Sequence, residues 1–98
     1  MDEKYVLREP VGDIREINFP LQKLKGGDIV AAQSEFETLT GSITTSMLEL
    51  NKGFHAYIIS KVAQIPYETV LELSIKDFSY LTMRVQNFLL PSVPAPTA

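Results

Sequence analysis

The stretch Lys4-Tyr5-Val6-Leu7-Arg8-Glu9-Pro10-Val11-Gly12-Asp13-Ile14-Arg15-Glu16-Ile17-Asn18-Phe19 decides the fold class. Both of its ends are rich in strand formers, and Pro10-Val11-Gly12-Asp13 supplies the turn residues between them. The pattern predicts a β-hairpin with strands over residues 4–9 and 14–19, ended by Pro20. On the second strand Ile14, Glu16 and Asn18 alternate with Arg15, Ile17 and Phe19. That alternation is imperfect, but it gives the strand two different faces. Two strands alone are marginal in water. The hairpin must therefore pack on the rest of the chain or pair with another copy or partner, and its open edges allow self-association.

Beyond Pro20 the chain reads as helices. Gly26-Gly27-Asp28 breaks the chain, and Asp28 is expected as the N-cap of a helix running to about Leu39. Ile29, Ala32, Phe36 and Leu39 recur at helical spacing and are expected inward, with Glu35 and Glu37 facing water. Gly41 stops this helix. Residues 42–49 are rich in Thr and Ser and read as a loop. Asn51 is then an N-cap for a helix whose stripe is Phe54, Tyr57, Ile58, Lys61, Val62 and Ile65. It must end before Pro66, which opens a short helix over residues 66–73 with Val70 and Leu71 inward. Ser74-Ile75-Lys76-Asp77 resembles a capping box. The last helix spans about residues 75–90, with Ile75, Phe78, Leu81, Thr82, Val85, Phe88 and Leu89 inward, and Pro91 stops it. Residues 91–98 hold three prolines and no charge, and read as an extended, mobile tail.

A hairpin followed by three to four helices packed on one side is an α+β domain. The 98 residues suffice for one such domain over residues 1–90. A chain this short buries only roughly 60–68% of its unfolded surface. Without cysteine it has no disulfide framework and no thiolate zinc site. No run approaches the length of a secretory or membrane-spanning segment, so a cytoplasmic protein that touches no membrane is expected. The net charge is −3, and residues 26–50 carry four acids (Asp28, Glu35, Glu37, Glu49) and no base. Nucleic-acid binding relies on neutralising phosphates, and this chain has no basic stripe to do so.

No set of residues has the spacing of a reaction centre. His55 is the only histidine and has no nucleophile or acid in motif spacing, so it reads as a partly exposed helix residue. Gly26-Gly27 lacks the further glycines of a dinucleotide fingerprint and the Lys-Ser/Thr of a phosphate loop. Glu35 and Glu37 point to different faces of a helix, and Glu68 and Glu72 read as a solvated surface pair. The hydroxyls of Thr44-Thr45-Ser46 have no partner base in sequence. The expectation is a non-enzymatic binding protein with no cofactor and no metal.

Read as one string, Val62-Ala63-Gln64-Ile65-Pro66-Tyr67-Glu68-Thr69-Val70-Leu71-Glu72-Leu73, then Ile75-Lys76-Asp77-Phe78 and Val85-Gln86-Asn87-Phe88-Leu89, resembles the small tail assembly chaperones of long-tailed phages. The group includes the Mu-like and P2-like tail proteins. Their C-terminal landmarks fall here on Ala63, Pro66, Leu73, Asp77, Val85, Phe88 and Leu89, and a Leu-Lys-Gly-Gly-Asp helix start falls on residues 24–28. The resemblance covers about residues 5–90; the departure is Ile65, where relatives often carry Gly near the proline.

The resemblance implies a protein made in the host cell and absent from the finished virion. Such proteins bind the tape measure protein, a long helical polypeptide. They keep it soluble and recruit major tail protein. An apolar surface suits that task, and the acidic stretch of residues 26–50 suits steering of a basic client. Phe54, Tyr57, Phe88, Leu89 and Leu90 are the candidate partner-binding residues, each of which is also a candidate for the core. Two other readings compete. One is a tail completion or adaptor protein. The other is a helix-turn-helix regulator, although the last helix offers base edges only Lys76, Arg84, Gln86 and Asn87.

Overall fold

The computed structural model describes residues 4–41 and 51–90, so the Thr/Ser-rich stretch and the Pro-rich tail lie outside the described residues. The expected α+β architecture is present, with a two-stranded antiparallel sheet followed by helices. The elements are β1 (Lys4–Val11), β2 (Ile14–Asn18), a 3-10 turn (Leu21–Lys23), α1 (Gly26–Thr40), α2 (Lys52–Ala63), α3 (Tyr67–Leu71) and α4 (Ile75–Leu89).

The hairpin turn is tighter than expected. β1 runs on through Pro10 to Val11, which faces Ile14 across the two-residue loop Gly12-Asp13. Gly12 sits at φ 57°, a backbone conformation that suits a residue without Cβ. The register is regular for Lys4↔Asn18, Tyr5↔Ile17 and Val6↔Glu16, and then shifts before Val11↔Ile14. Residues 7–10 thus stand opposite Arg15 alone, a β-bulge in β1. Pro10, which has no N–H to give a ladder, falls inside the bulge.

The helix ends follow local chemistry. Asp28 is not the N-cap of α1, which begins two residues earlier, after an extended Lys25. Asp28 occupies the third helical position, where its carboxylate accepts the Lys25 N–H at 2.9 Å. Gly41 closes α1 in the left-handed conformation at φ 71°. Asn51 caps α2 as expected, accepting the Phe54 N–H at 3.0 Å. At the other end of α2 Gln64 adopts φ 59°, the only positive φ of a non-glycine residue among the described residues. Pro66 caps α3 from outside rather than opening it.

The core is built around α2, which touches α1, α3, α4 and β2. It buries Phe54, His55, Ala56, Ile58, Ile59 and Ser60, residues on most of its circumference. Leu7, Ile17, Phe19 and Leu21 close the core from the hairpin side, Ala32 and Phe36 from α1, and Val70, Leu73, Leu81 and Val85 from α3 and α4. Each fully buried side chain of this size contributes about 1.5–3 kcal/mol. His55 is fully buried, not partly exposed, because α2 is central to the fold.

Several residues expected inside lie outside. Leu39 is 51% exposed, one turn beyond Phe36, and Leu71 is 50% exposed because the single turn of α3 buries only Val70. Ile75 is 74% exposed at the start of α4, and Phe88 is 37% exposed near its end. On α4 the buried set is Asp77, Leu81, Thr82 and Val85, with Phe78 and Leu89 half-buried.

Candidate functional site

The chemistry of α4 starts at its first turn. Ser74 caps the helix by accepting the Asp77 N–H at 3.2 Å, one half of the expected capping box. The other half is diverted. The Asp77 carboxylate is fully buried and turns to β1. It accepts the Tyr5 hydroxyl at 2.7 Å, the Arg8 N–H at 3.1 Å to each oxygen, the Glu9 N–H at 3.2 Å and the Ser74 hydroxyl at 3.1 Å. The bulge explains why two consecutive N–H groups reach it: the ladder that would have used one of them is interrupted there. Burial pushes the Asp77 carboxyl up. The hydrogen bonds from Tyr5, Arg8, Glu9 and Ser74 outweigh that effect and hold it below its ordinary value. The same contact and burial raise the Tyr5 phenol, burial being the larger cause.

The same flank of α4 continues the attachment. The Tyr80 ring stacks on Tyr5 with centroids 4.6 Å apart. Arg84, one turn on, donates to the Tyr80 hydroxyl at 2.9 Å, and its guanidinium lies 5.3 Å from the Phe19 ring centroid. Asp77, Tyr80 and Arg84 thus tie α4 to β1 and to the end of β2.

A second polar cluster joins α1 to α2. The Tyr57 hydroxyl donates to Glu35 at 2.5 Å, and Lys61 pairs with the same carboxylate at 3.1 Å. The Glu35 hydrogen bond, followed by burial, pushes the Tyr57 phenol up to about 12. The Tyr57 hydrogen bond, followed by Lys61, lowers the Glu35 carboxyl. The trio thus fastens α1 to α2 through the Glu35 carboxylate. Beside it lies an open cleft of about 480 Å³ with Leu24, Ala32, Ile58 and Val62 among its lining and Lys23 and Lys61 at its rim.

The nominated partner-binding residues divide. Phe54 is 1% exposed and meets Phe36 edge-on in the core, so it presents nothing to a partner. Tyr57 is half-buried, its ring beside Phe36 and Tyr67 and its hydroxyl committed to Glu35. Leu89 is half-buried against the core. Phe88 and Leu90 are exposed, and Phe88 lines a hollow of about 200 Å³ with Leu21, Gln22, Arg84 and Asn87.

Sequence reasoning missed the outward face of α4. Lys76, Tyr80, Met83, Asn87 and Leu90 are all exposed, with Tyr80 at 38% and Met83 at 52%. Their 4-3-4-3 spacing was available in the sequence, hidden because the inward set alone satisfies a helical pattern.

The remaining candidates for chemistry do not converge. Glu68 and Glu72 are exposed, Gly26 and Gly27 are the first turn of α1, and Thr44, Thr45 and Ser46 lie outside the described residues. Among the described residues no group of three or more His, Cys, Asp or Glu could hold a metal, and no helix is long and apolar enough to cross a membrane. No protein-family model, no curated protein and no solved structure matches the chain.

Proposed function

We propose that this protein is a tail assembly chaperone of a long-tailed phage or prophage, acting without catalysis in the cytoplasm of the host cell. It binds the tape measure protein, keeps that long helical chain soluble, recruits major tail protein and leaves before the particle is complete. The observation that carries this reading is the order of landmarks Ala63, Pro66, Leu73, Asp77, Val85, Phe88 and Leu89. In three dimensions they belong to the α2–α3–α4 unit, where Asp77 fastens the hairpin and Val85 fills the core. Exposed apolar side chains on α4 are the kind of surface that a binding protein of this type requires.

A pull-down with this protein from phage-producing cells tests the reading. A very long, helix-rich protein is expected in the eluate, and the chaperone itself is expected to be absent from purified virions. Recovery of the chain in virions would instead make it an adaptor or completion protein. Tight, salt-sensitive duplex binding would make it a regulator.

A further inference from the structure

We infer that the cleft between α1 and α2 is the seat of the chain's own residues 91–98, which cross it as an intramolecular strap. The inference stands apart from the proposed function. The cleft measures about 480 Å³, within the roughly 300–1,000 Å³ typical of ligand sites. Its floor is apolar, with Leu24 before α1, Ala31 and Ala32 on α1, and Ile58 and Val62 on α2. Ala31 and Ala32 explain why space is left there. Their methyl groups are too short to fill the gap to α2, which Phe36, one turn on, closes by meeting Phe54 and Tyr57.

The rim selects a neutral occupant. Lys23 and Lys61 stand against Asp28 and Glu35, two charges of each sign. Lys61 pairs with Glu35 at 3.1 Å, and the Asp28 carboxylate accepts the Lys25 N–H. A charged ligand gains little from such a rim and loses hydration on entering it. Pro91-Ser92-Val93-Pro94-Ala95-Pro96-Thr97-Ala98 carries no charged side chain, and six of these eight residues are Pro, Val or Ala. The φ of each proline is already fixed, so docking costs this segment less backbone freedom than it would an ordinary one.

The segment starts close to the cleft. Asn87 and Phe88, near the end of α4, share a hollow with Leu21 and Gln22 of the 3-10 turn. Lys23 and Leu24, the next two residues of the chain, line the cleft, as does Pro20. The turn therefore stands between the end of α4 and the cleft, and its three residues are only about 6 Å long at 2.0 Å each. Eight residues in the polyproline conformation span about 25 Å at 3.1 Å each, enough to cross the turn and lie along the floor. Tethering makes a weak contact effective. A short linker holds its segment at millimolar effective concentration, so docking too weak to matter between separate molecules is populated within one.

The chain has no cysteine, so Thr97→Cys gives the full-length protein a single attachment site for a nitroxide. The label is expected to broaden the amide signals of Leu24, Ala31 and Val62 in the cleft. Two further substitutions, one on each side of the contact, check the assignment. Val93→Asp puts a charge into the segment, and Ala31→Lys lays a long charged side chain over the floor from an exposed position. Each should reduce the broadening at Leu24 and Val62 severalfold and leave the fold intact. Broadening confined to Asn87 and Phe88, which lie near the label however the segment runs, overturns the inference. So does cleft broadening that neither substitution reduces. A mixture of isotope-labelled protein without nitroxide and nitroxide-labelled protein without isotope reports contacts between molecules. Cleft broadening as strong in that mixture as within one molecule would assign the cleft to a second copy and overturn the strap. None of these results depends on whether a tape measure protein is the client, so the inference and the proposed function can fail separately.

Discussion

Removing the Asp77 carboxylate takes away the acceptor for the Tyr5 hydroxyl and for the N–H groups of Arg8 and Glu9. Asp77→Ala should cost about 3 kcal/mol or more in urea unfolding, because donors are left without a partner at a buried site. Tyr5→Phe removes one donor and leaves the carboxylate with its others, so it should cost only about 1 kcal/mol. The pH dependence has a definite sign. The folded carboxyl lies below its ordinary value of 3.8, so its stabilisation is complete above that pH and is lost as the pH falls through the folded-state value. Urea midpoints taken from neutral to acid pH should fall in that window for the wild type. For Asp77→Asn they should fall less, and an unchanged acid slope in that variant would show that Asp77 is not the group responsible. Gln64 offers a change in the other direction. It holds φ 59° at the end of α2, where glycine carries no steric penalty, so Gln64→Gly should raise stability by about 0.5–1 kcal/mol.

At the scale of elements, the features legible in the sequence were local. Asn51 and Ser74 cap helices where expected, Gly41 ends α1, and the Gly12-Asp13 turn closes the hairpin. In each case the signal sits within a few residues of the feature it controls. The parts that were not legible depend on neighbours far along the chain. Periodicity shows that a helix has an apolar face, not how far along that face a neighbour extends. Leu39, Leu71, Ile75 and Phe88 therefore read as core and proved exposed. The central position of α2 buries His55, whose sequence context gave no sign of it. The bulge joins the Pro10 region to Asp77 from the other end of the chain, a link between two local signals that each looked complete. The nominated binding residues suffered in the same way, since Phe54 and Phe88 are alike in a helical pattern and opposite in burial. Phe54→Ala should accordingly cost about 3–5 kcal/mol in chemical unfolding. Phe88→Ala, at an exposed position, should cost under about 1 kcal/mol.

For the whole molecule, the fold assigns different jobs to different surfaces. One flank of α4 holds the hairpin through Asp77, Tyr80 and Arg84, its inner face completes the core, and Lys76, Met83 and Asn87 are exposed on its outer side. The sheet is a poorer docking edge. The best-centred antiparallel pairing of β2 with a second β2 would set Glu16 against Glu16, and like charges directly opposite are unfavourable. The most direct measurement of the proposed function is co-expression with the tape measure protein of the same phage, followed by the fraction of tape measure protein in the soluble lysate. Tape measure protein is expected to be soluble and to co-purify with this chain, and to precipitate when the chain is omitted. Equal solubility with and without the chain, and no co-purification, would mean that it is not the chaperone proposed.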